Sequence, residues 1–182
     1  MKKIVLTFGI ISGLLSALMM AITMPLTLNG KIPHDKGLLV GYTAIVLSFV
    51  LVFFGIRTYR ENAGGTITFG RAFKVGLLIV LISSAFYVAT WQVLYFKFMP
   101  NFWNVMADRT AVSMRAKGEP EAKIAAATKE MQDYKKMYDN PFLNIAFTLL
   151  EPLPVGILVA LISAAILRKK GPAPPAAATA LA

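Results

Sequence analysis

The chain has 182 residues, of which 57% are hydrophobic and 15% charged, more apolar and less charged than soluble domains, so a membrane is the simplest solvent for it. Its net charge of +10 sits largely in short clusters beside apolar runs rather than along one stripe, which argues against nucleic acid as a partner. It contains no cysteine, which excludes disulfides, thiolate metal sites and a cysteine nucleophile.

Residues 4–28 carry no charge and, at about 1.5 Å per residue, run roughly 37 Å, more than the ~30 Å of hydrocarbon in a bilayer. Lys2 and Lys3 give this run a signal-like start. However, it exceeds the roughly 7–15 apolar residues of a signal core and no A-x-A site follows, so a retained span is expected. Within it Gly9, Gly13, Ala17 and Ala21 recur every fourth residue, a groove that lets helices approach closely. Packing inside the bundle is one use of that groove and a homodimer through this span is the other. The following loop holds Lys31, His34, Asp35 and Lys36. With no second histidine to complete a zinc site, His34 is expected to be solvated.

The second apolar run covers residues 37–56, opened by Gly37 and Gly41, and the third covers 75–96. Between them Arg57, Arg60, Arg71 and Lys74 surround the Gly64-Gly65 pair. The glycines are expected to make a turn and the four cations to reach anionic lipid headgroups. Thr68 is the expected N-cap of the next helix, with Phe69 and Phe73 one turn apart at the interface. A phosphate nest of Gly64, Gly65, Gly70 and Arg71 is the weaker reading, because Gly70 is followed by Arg71 and Ala72 instead of the Lys and Ser/Thr of a nucleotide loop.

Residues 101–117 and 120–138 each have helical character, separated by Gly118-Glu119, with Gly118 at a C′ position and Pro120 opening the second helix. The second helix carries an apolar stripe of Ile124, Ala127, Met131, Tyr134 and Tyr138 that must lie on something. Phe102, Val105 and Met106 of the preceding helix are the nearest surface, with the bilayer or a partner protein as alternatives. Phe98, Phe102 and Trp103 suit an outer aromatic belt. The fourth apolar run, 142–167, is interrupted by Glu151 and carries Gly156, Ala160 and Ala164 at four-residue spacing. Residues 171–182, rich in Pro and Ala, have too little to bury and are expected to be disordered.

These segments predict an all-α fold: an integral membrane four-helix bundle over residues 1–170, with an extracytoplasmic helical hairpin between spans three and four. Lys2, Lys3, Arg57, Arg60, Arg71, Lys74, Arg168, Lys169 and Lys170 then fall on one side against the single acid Glu61. The long hairpin connection is nearly balanced in charge. Both termini are therefore expected in the cytoplasm, in a bacterial inner membrane.

Residues 58–76 (TYRENAGGTITFGRAFKVG), 138–141 (YDNP) and 151–170 (EPLPVGILVALISAAILRKK) together resemble the bacterial membrane family called domain of unknown function 4199. The resemblance covers nearly everything except the Pro/Ala tail. It implies a four-span architecture and assigns no residue a role.

Glu151 is the one acid inside an expected span, which makes it the default functional candidate. Counted from Leu167 it lies roughly 24 Å up the span. The same count brings Trp91 and Gln92 to that height, Tyr42 slightly lower, and Thr23 alongside. A polar layer of Glu151, Gln92, Tyr42, Trp91 and Thr23 suggests an outward-opening site sensitive to protons or cations. The competing reading is a carboxyl satisfied near the interface beside Pro152 and Pro154, which break or kink the helix.

Neither G-x-S-x-G nor H-E-x-x-H occurs, and only Lys97 or Asp35 could supply a second ionisable group, so no catalytic residue, cofactor or metal is expected. A transport role needs a polar path into the cytoplasmic half, yet the lower parts of the four spans are almost wholly apolar apart from serines such as Ser12, Ser16, Ser48, Ser83, Ser84 and Ser163. This favours an accessory or interaction component with lipid or membrane protein partners. A small transporter or channel subunit using Glu151 is the alternative.

Overall fold

Seven helices follow one another in the computed structural model, which describes residues 1–33 and 36–169: α1 (Lys2–Leu28), α2 (Gly37–Asn62), α3 (Phe69–Val93), α4 (Phe102–Ala116), α5 (Glu121–Tyr138), α6 (Pro141–Leu149) and α7 (Pro152–Leu167). The readings made for His34, Asp35, Lys170 and the 171–182 tail lie outside the described residues. Four stretches are long and apolar enough to cross a membrane: Lys2–Leu28, Gly37–Asn62, Phe69–Phe98 and Pro141–Leu167. The chain is thus an all-α four-span bundle with α4 and α5 forming a hairpin between its third and fourth spans. The helices outrun the uncharged segments because long cationic side chains tolerate helical positions at the boundary. Accordingly, α2 continues through Arg57 and Arg60, and α3 begins before Arg71 and Lys74.

The α2 and α3 helices pack together, flanked by α1 and α7. Lipid-exposed helices gain little by hiding apolar surface from one another, so close contact over small residues carries the packing. A Cβ placed on Gly9 would come within 2.8 Å of Ile82, and one on Gly13 within 2.7 Å of Phe86. The glycine groove of α1 is therefore occupied by α3 of the same chain. Gly76 receives Ile56 and Ala160, and Gly156 receives Val80 and Phe49. Between these contacts Val52, Ile56, Val75, Ile79, Val80, Ala160 and Ala164 are all 0% exposed, which seals this half of the bundle. The serines tie the spans together: Ser12 Oγ donates to the Ser48 carbonyl at 2.8 Å and lies 3.0 Å from Ser83 Oγ.

At the closed end, Gly64 and Gly65 both adopt φ of +79°, a conformation that side chains with a Cβ resist. The chain then runs into an antiparallel bridge in which Ile67 and Lys169 exchange both backbone hydrogen bonds at 3.0 Å. Arg60 Nη1 donates to the Leu167 carbonyl at 3.3 Å, a cation on the acceptors left open where α7 ends. Arg57 pairs with Glu61 at 2.9 Å, while Arg71 and Lys74 stay exposed. Thr68 caps α3 by accepting from the Arg71 N–H, and the Phe69 and Phe73 rings stack 6.3 Å apart.

At the other end the hairpin folds over the bundle. Gly118 turns it at φ of +73°. The stripe of α5 finds its surface on α4, where Ile124 is 2% exposed and Tyr134 stacks on Trp103 at 5.4 Å. Trp103 and Phe102 pack against other rings, while Phe98 is exposed. The last turn of α3 widens into a π-helical segment at Leu94–Phe98, from which the Tyr95 hydroxyl donates to Asp139 at 2.9 Å. Lys135, at 2.6 Å, holds the Asp139 carboxyl below the usual carboxylate range, and the Tyr95 bond adds to that effect.

Arg109 of α4 donates to the carbonyls of Thr27, at 2.9 Å, and Leu28; Thr27 also accepts from the Gly30 N–H, whereas the Leu28 carbonyl is one that the end of α1 leaves open. Arg109→Met removes both donors and strands the Leu28 carbonyl, and a stranded carbonyl costs about 1–3 kcal/mol. Limited proteolysis of purified protein checks this: the hairpin of the variant should be cut several-fold faster than that of the wild type, with the four spans still intact.

Candidate functional site

The fourth span does not run unbroken from 142 to 167. Pro152 has no N–H to give to the helix and Pro154 crowds the carbonyl one turn back, so α6 stops at Leu149 and α7 starts at Pro152. Glu151 sits in the break, half-buried, and its Oε2 accepts a hydrogen bond from the Tyr87 hydroxyl at 2.6 Å.

Tyr87 is not among the residues the sequence placed level with Glu151. The register explains the error. Gly76 meets Ala160 and Gly156 meets Val80, so α3 and α7 run past each other with Glu151 opposite the turn that contains Tyr87. Taking Val75 and Leu167 as level edges displaced that register by about one helical turn. A usable signal was present, because Tyr87, Trp91 and Tyr95 recur every fourth residue on one face of α3.

The expected polar layer divides. Gln92 does not reach Glu151; its Nε2 donates to Asn144 Oδ1 at 2.8 Å. Asn144, which the sequence reading passed over, is 0% exposed. It also donates to the Tyr138 carbonyl at 2.9 Å and accepts from the Thr148 hydroxyl. Thr23 spends its hydroxyl on the Met19 carbonyl of its own helix. Trp91 and Tyr42 do lie beside Glu151, as walls of a shared cavity.

That cavity measures about 290 Å³. Its walls come from Met24 and Thr27 of α1, from Gly37, Leu38, Gly41, Tyr42 and Ile45 of α2, and from Tyr87 and Trp91 of α3. Phe102, Trp103, Met106, Met131 and Tyr138 of the hairpin close it over, with Thr148 and Glu151 on the α6–α7 side. The rings interlock: Trp91 meets Phe102 edge-on at 5.2 Å, and Trp103 meets Tyr138 at 5.0 Å. Burial pushes the Tyr138 phenol up to about 12, with the Glu151 carboxylate adding to the shift, so it stays neutral at physiological pH. The indole N–H groups of Trp91 and Trp103 are buried without a hydrogen-bond partner among the described residues.

A larger hollow of about 390 Å³ lies against α5 between Lys129, Glu130, Asp133 and Tyr134. Its polar groups already satisfy neighbours, Tyr134 donating to Glu130 at 3.1 Å and Lys136 to Asp133 at 2.8 Å. The Glu151 cavity is therefore the candidate site. Lys97 is exposed and does not line it.

Four spans, a hairpin cover and an acid-floored aromatic cavity define a multi-pass membrane protein with a small, partly open cavity at one end. The sequence matches the family model described as Protein of unknown function (DUF4199) over residues 7–169, and the chain belongs to that family. No curated protein and no solved structure matches it.

Proposed function

We propose that the chain is an accessory component of the bacterial inner membrane, with both termini cytoplasmic, that receives a small ligand in an outward-facing cavity and carries no catalytic step. One observation supports this reading above the others. The cavity beside Glu151 ends against a half-bundle whose side chains, Val52, Ile56, Ile79 and Val80 among them, are 0% exposed. A transporter or channel needs a polar path through that half. The serines there do not form a continuous line: Ser12 bonds across to Ser48 and Ser83, Ser16 bonds within its own helix, and Ser84 Oγ is buried without a partner among the described residues.

Arg71 and Lys74 are the cations we assign to anionic headgroups, since Arg60 is engaged with Leu167 and Arg57 with Glu61. The face of α1 bearing Leu6, Ile10, Leu14 and Leu18 is exposed and is assigned to lipid tails. A dimer through the α1 glycines is the weaker partner reading, because Ile82 and Phe86 fill that groove.

The native chain has no cysteine, so single cysteines report sidedness directly. Gly41 and Gly70 have no atom within 4 Å of an added Cβ and should accept the change. In intact spheroplasts a membrane-impermeant maleimide is expected to modify Gly41→Cys, to reach Gly70→Cys only after permeabilisation, and to spare Val80→Cys under both conditions. Modification of Gly70→Cys from outside would invert the topology, and ready modification of Val80→Cys in folded protein would favour a conduit.

A further inference from the structure

We infer that the cavity binds a lipophilic organic cation, an alkyl- or arylammonium whose charged nitrogen sits between the Glu151 carboxylate and the surrounding aromatic rings. This rests on the reading of the cavity as a ligand site and adds the class of ligand.

The first argument is electrostatic. Lys and Arg number 19 in the chain, yet among the described residues none forms an ion pair with Glu151, whose bonded partner is the Tyr87 hydroxyl. A carboxylate removed from water is costly unless a cation accompanies it, and in a membrane such an acid calls for a named partner. The second argument is the wall. Tyr42, Tyr87, Trp91, Phe102, Trp103 and Tyr138 all line the space, and aromatic faces attract ammonium groups, most strongly when water is excluded. The rings brace one another through edge contacts of 5.0–5.2 Å, so the cage is formed before a ligand arrives.

The third argument separates an organic cation from a metal ion. Hard metal ions take several oxygen ligands, whereas among the described residues no group of three or more His, Cys, Asp and Glu side chains is gathered anywhere. Beyond the charge, Met24, Met106 and Met131 offer polarisable, adaptable contacts to an apolar body. The volume of about 290 Å³ lies at the small end of the range for ligand pockets, roughly 300–1,000 Å³.

The chain's two tryptophans, Trp91 and Trp103, both line this cavity, so intrinsic fluorescence reports its occupancy. Purified full-length protein in nanodiscs should be titrated with benzyltrimethylammonium and with its neutral isostere neopentylbenzene. The cation is expected to bind at least roughly tenfold tighter than the isostere, the equivalent of a desolvated cation–π contact beside a carboxylate. In Glu151→Gln that preference should fall at least roughly threefold, the aromatic rings retaining the remainder, with isostere affinity unchanged.

Equal affinity of the wild type for both probes, or an undiminished preference in Glu151→Gln, overturns the cation assignment while leaving the cavity a ligand site. Failure of both probes to change the emission overturns the assignment and the ligand-site reading together. The comparison of probes on the wild type needs no variant, so it decides the matter even if Glu151→Gln fails to fold.

Discussion

Gly156→Leu is expected to destabilise the bundle strongly, and Gly41→Leu to leave its stability unchanged. At Gly156 even a single added carbon would overlap a Val80 methyl and lie 3.1 Å from the Phe49 ring. Neither neighbour can withdraw, because Val80 is 0% and Phe49 1% exposed and a β-branched valine in a helix has essentially one rotamer. Overpacking of a closed core costs about 1–3 kcal/mol, and the long leucine side chain belongs at the upper end. For a chain of this size 3 kcal/mol lowers the unfolding midpoint by roughly 6–12 °C. Gly41, with nothing within 4 Å of an added Cβ, should shift the midpoint by no more than about 2 °C. Thermal unfolding of both variants by circular dichroism in the same detergent decides it. An unchanged midpoint for Gly156→Leu would mean that α7 does not pack where the structure has it.

The contrast between these two glycines shows where the sequence is informative. Spans, turns and caps were legible because they answer to local rules. Uncharged runs longer than a bilayer must be helical, Gly64, Gly65 and Gly118 stand where φ is positive, and Thr68 stands where α3 needs an acceptor. The proline pair likewise announced the break at Glu151. Relations between spans were not legible, because the charge pattern fixes an edge only to within the reach of a lysine side chain. One turn of slip exchanged Tyr87 for Trp91 as the residue level with Glu151. Arg109 could not be singled out from the other hairpin cations, since its partners are backbone carbonyls that every residue carries. The aromatic cage was hidden for a related reason. It exists only once α4 and α5 fold back over the ends of the spans, and the sequence pattern pairs α4 with α5 without saying where the pair lies on the bundle.

Asn144→Leu tests the junction that holds this cage together. Asn144 is a lone amide in the apolar run of α6, and its side chain connects three elements: α3 through Gln92, the end of α5 through the Tyr138 carbonyl, and α6 through Thr148. Leucine fills much of the same volume and removes all three side-chain bonds. Two of these bonds cross between elements, and polar bonds between membrane helices average about 0.6 kcal/mol, which gives roughly 1 kcal/mol for the pair. The Gln92 amide and Tyr138 carbonyl are also left unpaired, and each stranded buried group adds about 1 kcal/mol, so we expect a total of about 3 kcal/mol. Tyr138 touches Trp91, Trp103 and Phe147 by ring contacts, so its release should also wet the indoles and red-shift their emission. Asn144→Asp should lie between, keeping the acceptor for Gln92 and Thr148 but losing the donor to Tyr138. Wild-type emission together with a wild-type unfolding midpoint in Asn144→Leu would show that the hairpin is held over the cavity by other contacts, with Arg109 the next to remove.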